Sequence, residues 1–218
     1  MTDKEFLEFV EEKLTSSYDD IGPYYHRFLK IIGFNKSKHI ADHFKEFKIP
    51  KEASILDCGC GTGRAVEVIH EMGYLNKQGF EPSQGMINEA KKTGYYTKIL
   101  QGALTVPEEM PKEYENAFDV ITCQGVFMIG HLIKPEAYEC LLFACKKGGL
   151  MIFTTDEFDK TPEELKYREK RDAMVKEGKW ELLKEFEFEK YLNLDPSVVT
   201  DGRYSQKRAD TLFVYRKL

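Results

Sequence analysis

Ile55-Leu56-Asp57-Cys58-Gly59-Cys60-Gly61-Thr62-Gly63-Arg64 joins a short apolar run to three alternate glycines. The run reads as a buried strand and residues 65–72 as a helix, so the glycines occupy the turn from a strand's carboxyl end into a helix. Glycine there lets the main chain approach a bound ligand closely. The spacing narrows the choice of ligand. A dinucleotide fingerprint needs G-x-G-x-x-G, yet its third glycine position falls on Arg64 when counted from Gly59 and on Val66 when counted from Gly61. No Gly-Lys-Ser/Thr follows the turn, which excludes a P-loop.

Working outward, short apolar runs at 54–58, 78–81, 98–101, 118–123 and 150–155 alternate with helical segments at 65–72, 85–92 and 135–146. Strict alternation implies parallel strands and right-handed crossovers, hence an open, doubly wound α/β sheet. In such sheets ligands bind beyond the carboxyl ends of the strands at the switch point, where this turn would lie. A charged helix at 161–178 then precedes two strand-like runs, 180–191 and 208–217, expected to pair antiparallel. The turn-rich piece between them, 195–202, leaves room for a loop reaching back over the sheet edge. Upstream, Phe6, Leu7, Val10 and Leu14, then Ile40, Phe44 and Phe47, carry helical spacing. Gly22-Pro23 breaks the regularity between them, so Tyr18, Tyr24 and Tyr25 read as part of a lid.

At 218 residues the chain reads as one enlarged domain, with 1–50 forming the lid helices, 51–156 the α/β core and 157–218 the last helix and strand pair. Forty-two per cent hydrophobic residues, 15 Phe and 12 Tyr suffice for a substantial core. Thirty-two basic against 37 acidic residues give a net charge of -5, which disfavours phosphate backbones and anionic lipid as partners. The longest uncharged stretch, 120–133, is shorter than the roughly 20 residues of a membrane helix. No signal peptide, myristoylation glycine, CaaX box or peroxisomal Ser-Lys-Leu is present, and five cysteines read as reduced thiols. The expectation is a cytoplasmic, soluble protein, monomeric or homodimeric.

Asp57, Gly59, Gly61 and Gly63 together form an Asp-x-Gly-x-Gly-x-Gly pattern that resembles motif I of class I S-adenosylmethionine-dependent methyltransferases. Glu81, closing the second strand before Pro82-Ser83, stands where an acid can accept both ribose hydroxyls. The resemblance implies a Rossmann-like, mostly parallel seven-stranded sheet, with the turn holding the methionine moiety. It places Gly102 and Ala103 at the adenine, Met86 against the adenine or in the core, and the run Gln124, Gly125, Val126 and Phe127 along the site after the fourth strand. Tyr18-Asp19, Glu81-Pro82-Ser83, Gly148-Gly149 and the run from Lys166-Tyr167 to Gly178-Lys179-Trp180-Glu181 extend it. They are similar to the methyltransferase-like family named for the Williams-Beuren syndrome chromosome region.

The expected chemistry is in-line methyl transfer from S-adenosylmethionine to O, N or S of a small molecule, with S-adenosylhomocysteine as product. Alignment alone can supply about 7–11 kcal/mol, so no acid or base is obligatory; His131, in the loop after the fourth strand, is the candidate base. Alternatives are protein side-chain methylation or a non-catalytic cofactor-binding scaffold. Nucleic acid is disfavoured, because Cys123-Gln124-Gly125-Val126 replaces the Asp/Asn-Pro-Pro-aromatic motif of amino-methylating nucleic-acid enzymes. Cys58 and Cys60 lack a second ligand pair and His39 and His43 lack a third ligand, so no metal site is expected; the two histidines read as surface residues. Arg168, Arg171 and Trp180 are read as part of a solvated helix face rather than a substrate contact.

Overall fold

The computed structural model describes residues 1–14, 17–34, 36–128, 133–155, 162–189 and 209–218. Seven strands form one sheet: β1 (Ile55–Cys58), β2 (Lys77–Glu81), β3 (Lys98–Gln101), β4 (Phe118–Phe127), β5 (Cys145–Thr155), β6 (Trp180–Glu189) and β7 (Ala209–Lys217). Their order is β3-β2-β1-β4-β5-β7-β6. The first five run parallel, whereas β7 is antiparallel to both β5 and β6. Strand order reverses between β1 and β4, which puts the glycine turn at the switch point.

Alternation along the central strands separates the two faces of the sheet. Leu56, Ile121, Phe153, Phe213 and Tyr215 pack on one side with α6 (Tyr138–Ala144) and with Met174 of α7 (Pro162–Lys176). Ile55, Val120, Ile152, Leu212 and Val214 pack on the other with α3 (Lys36–Glu46) and α4 (Glu67–Glu71). Phe6, Leu7 and Val10 of α1 (Asp3–Leu14) meet Phe28 and Leu29 of α2 (Tyr18–Ile31) in a third cluster. Lys36 forms a fully buried ion pair with Asp210 of β7, fixing the start of α3 to the sheet.

Several elements differ from the sequence expectation. β4 runs on to Phe127, with a register shift between Cys123 and Phe127, and β5 begins at Cys145, its two-lysine, two-glycine stretch bulging between the Phe118–Cys145 and Val120–Leu150 pairs. The third and fifth helical segments open as single 3-10 turns, Arg64–Val66 and Pro135–Ala137. Pro23 does not break the chain, since α2 is continuous through it. The missing proline N–H leaves the Asp19 carbonyl without its helical donor, and that carbonyl packs against Gly85 of α5 (Gln84–Thr93). A β-carbon on Gly85 would lie 2.1 Å from it, so glycine is required for α2 to dock. Asp19 completes the joint. Its Oδ1 accepts from Ser83 Oγ at 2.6 Å and from Gly85 N at 2.9 Å, and the Ser83 bond, then the Gly85 bond, holds its carboxyl below the usual range.

His43 is also not a surface residue. It is buried, with Nδ1 2.6 Å from the His39 carbonyl, and the His39 ring packs on Phe188 at 4.2 Å. Arg171 and Trp180 are buried as well: Arg171 donates to Tyr138 Oη at 3.1 Å and Trp180 Nε1 donates to the Arg171 carbonyl at 3.2 Å. They hold α7 on the sheet rather than forming a solvated face. Among the described residues no helix is long and apolar enough to cross a membrane. The proposed loop over the sheet edge, 195–202, lies outside the described residues.

Candidate cofactor site

The turn after β1 is pinned to the end of β2. Gly59 N donates to the Phe80 carbonyl at 2.7 Å, and a β-carbon on Gly59 would sit 2.2 Å from Val126 Cγ2, so the approach of turn to β4 admits only glycine. Gly61, at φ 53°, has nothing within 4 Å of where a β-carbon would be. Its N–H is instead held by Glu81 Oε2 at 2.9 Å, while Glu81 Oε1 accepts from Ser83 N at 3.0 Å. One carboxylate therefore joins the turn to the start of α5. Burial raises its pKa, the two backbone bonds opposing that shift.

These groups open on a cavity of about 370 Å³, within the range of small-molecule sites. Of the residues read from sequence, it is lined by Gly59, Gly61, Glu81, Pro82, Met86, Gly102, Ala103, Gln124 and Gly125, and by Tyr18 and Tyr25 of α2. Four others lie elsewhere. Asp57 is wholly buried behind the turn, accepting from Tyr96 Oη at 2.7 Å and Thr122 Oγ1 at 2.8 Å. Gly63 faces the Tyr96 ring, 3.2 Å from where its β-carbon would be. Tyr24 turns away to pack edge-on against Phe9 and Phe6 of α1. Phe127 is buried against Tyr138, Phe153 and Tyr167. His131 lies outside the described residues.

Asp57 therefore supports the turn from below. Burial, opposed by the Tyr96 and Thr122 hydrogen bonds, pushes its pKa up from 3.8 to about 6. A carboxyl whose folded pKa exceeds its unfolded value stabilises the fold below the unfolded pKa and loses that contribution as pH rises through the folded one. Relative to Asp57→Asn, the wild-type protein should lose about 2–3 kcal/mol of stability between roughly pH 4 and pH 7. Urea unfolding at the two pH values measures it, and a pH-independent difference between the proteins would contradict the assignment.

Sequence reading missed part of the lining. Thr62 is buried, and among the described residues its Oγ1 has no hydrogen-bond partner. Arg64 donates from Nη1 to His26 Nε2 at 2.7 Å and to Glu67 at 3.2 Å, beside the glycine turn. Burial and then the Arg64 charge lower the His26 pKa, which suits it to accept that bond as a neutral ring. Leu29, Phe34 and Ile133 complete an apolar wall with Val126, which the sequence does place along the site. The only sequence signal of Leu29, Phe34 and Ile133 is hydrophobic spacing, which core residues share. Among the described residues no cluster of three metal-ligating side chains exists.

The human Methyltransferase-like protein 27 is 29% identical over 136 residues, 61% of this chain and 53% of that protein, which bears out the resemblance to the Williams-Beuren region family. A tRNA U34 carboxymethyltransferase of Helicobacter pylori is 31% identical over 110 residues, 48% of this chain and 41% of that protein. The chain thus spans about half the length of these two curated relatives. Among solved structures, magnesium protoporphyrin IX methyltransferase from Synechocystis with bound S-adenosylmethionine superposes with a TM-score of 0.62 at 12% identity, covering 100% of this chain and 98% of that one. That likeness shows the fold. The Methyltransferase domain profile matches residues 24–193, most of the chain and all of the cavity's described lining apart from Tyr18, and this protein belongs to that methyltransferase family.

Proposed function

We propose that the chain binds S-adenosylmethionine in this cavity and transfers its methyl group to an O, N or S atom of a small molecule. The observation that carries the proposal is the hydrogen bond from Gly61 N to Glu81, which sets a bare glycine backbone and a carboxylate side by side in one cavity at the switch point. The residues fit the cofactor's parts. Each Glu81 oxygen uses one lone pair on the backbone and keeps another for a ribose hydroxyl. Phe80, Met86, Ala103 and Leu104 supply an apolar slot for the base, and Arg64 a cation for the amino-acid carboxylate.

Bound S-adenosylmethionine would supply a methyl group activated by the adjacent sulfonium, which the acceptor atom displaces in line while the C–S electron pair stays on sulfur. The chain's own contribution is alignment and exclusion of water by the turn, β4 and α2. Glu81→Ala should weaken binding of S-adenosylhomocysteine by about 1–3 kcal/mol, and an unaltered dissociation constant in a folded variant would contradict the ribose role.

The net charge of -5 and the apolar wall favour a small acceptor over nucleic acid, although a relative acts on tRNA. Incubation with methyl-labelled S-adenosylmethionine and cell extract, followed by ultrafiltration, separates the readings. Label should appear in a filtrate compound that chromatography separates from S-adenosylmethionine and that is absent without the protein. Label confined to the retained fraction and released by ribonuclease or protease would overturn the acceptor class in favour of RNA or protein.

A further inference from the structure

α1 and α2 carry a core of their own. Phe6, Leu7, Val10, Phe28, Leu29 and Ile32 pack together in a cluster separate from the two on the sheet, so the helix pair would keep its packing if it lifted from the body. Docked, α2 supplies Tyr18 and Tyr25 to the cavity wall. Two polar ties hold it there: Asp19 to Ser83 and Gly85 and, about two turns further along α2, His26 to Arg64 on the glycine turn.

The second tie depends on a proton. A guanidinium only donates, so His26 Nε2 takes the 2.7 Å bond from Arg64 Nη1 with its lone pair and must be unprotonated there. The charged groups facing His26 are Arg64 and Glu67 of α4, and Arg64 Nη1 also reaches Glu67 at 3.2 Å. Burial, then the Arg64 charge, lowers the His26 pKa from 6.5, with Glu67 opposing. A proton on Nε2 would replace the bond by two like charges in contact. Both Nη1 hydrogens are spent on His26 and Glu67, which fixes the guanidinium and leaves Nη2 and Nε as donors for a ligand carboxylate. We propose that His26 is a positioning residue of the cofactor site: unprotonated it holds α2 and Arg64 in the binding arrangement, and protonated it releases both, so that affinity for the cofactor falls in acid. The proposal rests on the reading that this cavity holds S-adenosylmethionine. Undocking returns His26 to its ordinary 6.5 whereas docking keeps it lower, so the docked form is fully favoured above that value and loses ground as pH falls below it.

Two substitutions test this. His26→Gln keeps an acceptor that takes no proton near neutrality, and His26→Phe keeps a ring but no acceptor. Dissociation constants for S-adenosylhomocysteine are compared among the three proteins at one pH, since Glu81 and Asp57 titrate alike in all of them. At about pH 7.5 the wild type should match His26→Gln, with His26→Phe about fivefold weaker; at about pH 5.5 it should instead match His26→Phe, about fivefold weaker than His26→Gln. Hydrogen exchange over residues 18–31 of the free proteins should cross over in the same way, the wild type as protected as His26→Gln at the higher pH and as unprotected as His26→Phe at the lower. If either variant does not fold, the other carries the comparison, because the wild type moves relative to both. A wild-type-to-variant ratio that is the same at the two pH values, in affinity or in exchange, would overturn the proposal. If S-adenosylhomocysteine does not bind at all, the cofactor reading fails separately, and the exchange comparison still decides whether His26 holds α2.

Discussion

Replacing Gly61 by arginine is expected to abolish binding of S-adenosylhomocysteine while leaving the sheet folded. A β-carbon at Gly61 meets nothing within 4 Å, so the substitution collides with no part of the protein. Its φ of 53° costs a non-glycine residue only about 1–2 kcal/mol. The new side chain must enter the cavity, where Glu81 offers it a partner and the methionine moiety would otherwise lie. Both the backbone cradle and the ribose-binding carboxylate are lost to the ligand, so the dissociation constant should rise more than about a hundredfold. A near-native melting temperature with unchanged affinity would move the cofactor elsewhere on the molecule.

The second large effect concerns the fold. Lys36 and Asp210 are both fully buried and paired, joining α3 to β7. Lys36→Met leaves the Asp210 carboxylate in the interior without its cation, which should cost about 3–5 kcal/mol. Adding Asp210→Leu removes the stranded charge, and the double variant should recover most of that loss, because hydrophobic replacement of a buried pair is often neutral. Urea unfolding of the three proteins measures the cycle. A single variant as stable as the wild type, or a double variant less stable than the single, would contradict the account in which the cost comes from the unpaired buried charge.

The sheet was legible because its causes are local. Short apolar runs between helical segments can form only buried parallel strands, and glycines at a strand's end mark where backbone must pass close to other atoms, as Gly59 does against Val126. Glu81 was legible from its place at the end of the second strand. What the sequence hid is decided by facing. Asp57 and Gly61 belong to the same motif, yet one points down to Tyr96 and Thr122 while the other opens on the cavity. Tyr24 and Tyr25 are neighbours on one helix, and only the second reaches the cavity.

Leu29 and Phe34 look like ordinary core residues until α2 docks on α5. That docking depends on Gly22, Gly85 and Asp19, none of which carries a recognisable signal alone. Pro23 misled for a related reason: the carbonyl it leaves without a helical donor is placed by the tertiary contact with Gly85, which local rules do not see.

The central claim is that the cavity between the glycine turn, Glu81 and α2 is an S-adenosylmethionine site. Calorimetric titration of the purified chain with S-adenosylhomocysteine tests it most directly. One-to-one binding in the micromolar range, weakened in Glu81→Ala and lost in Gly61→Arg, is the result predicted. Absence of heat and of thermal stabilisation in a folded wild-type sample would contradict it.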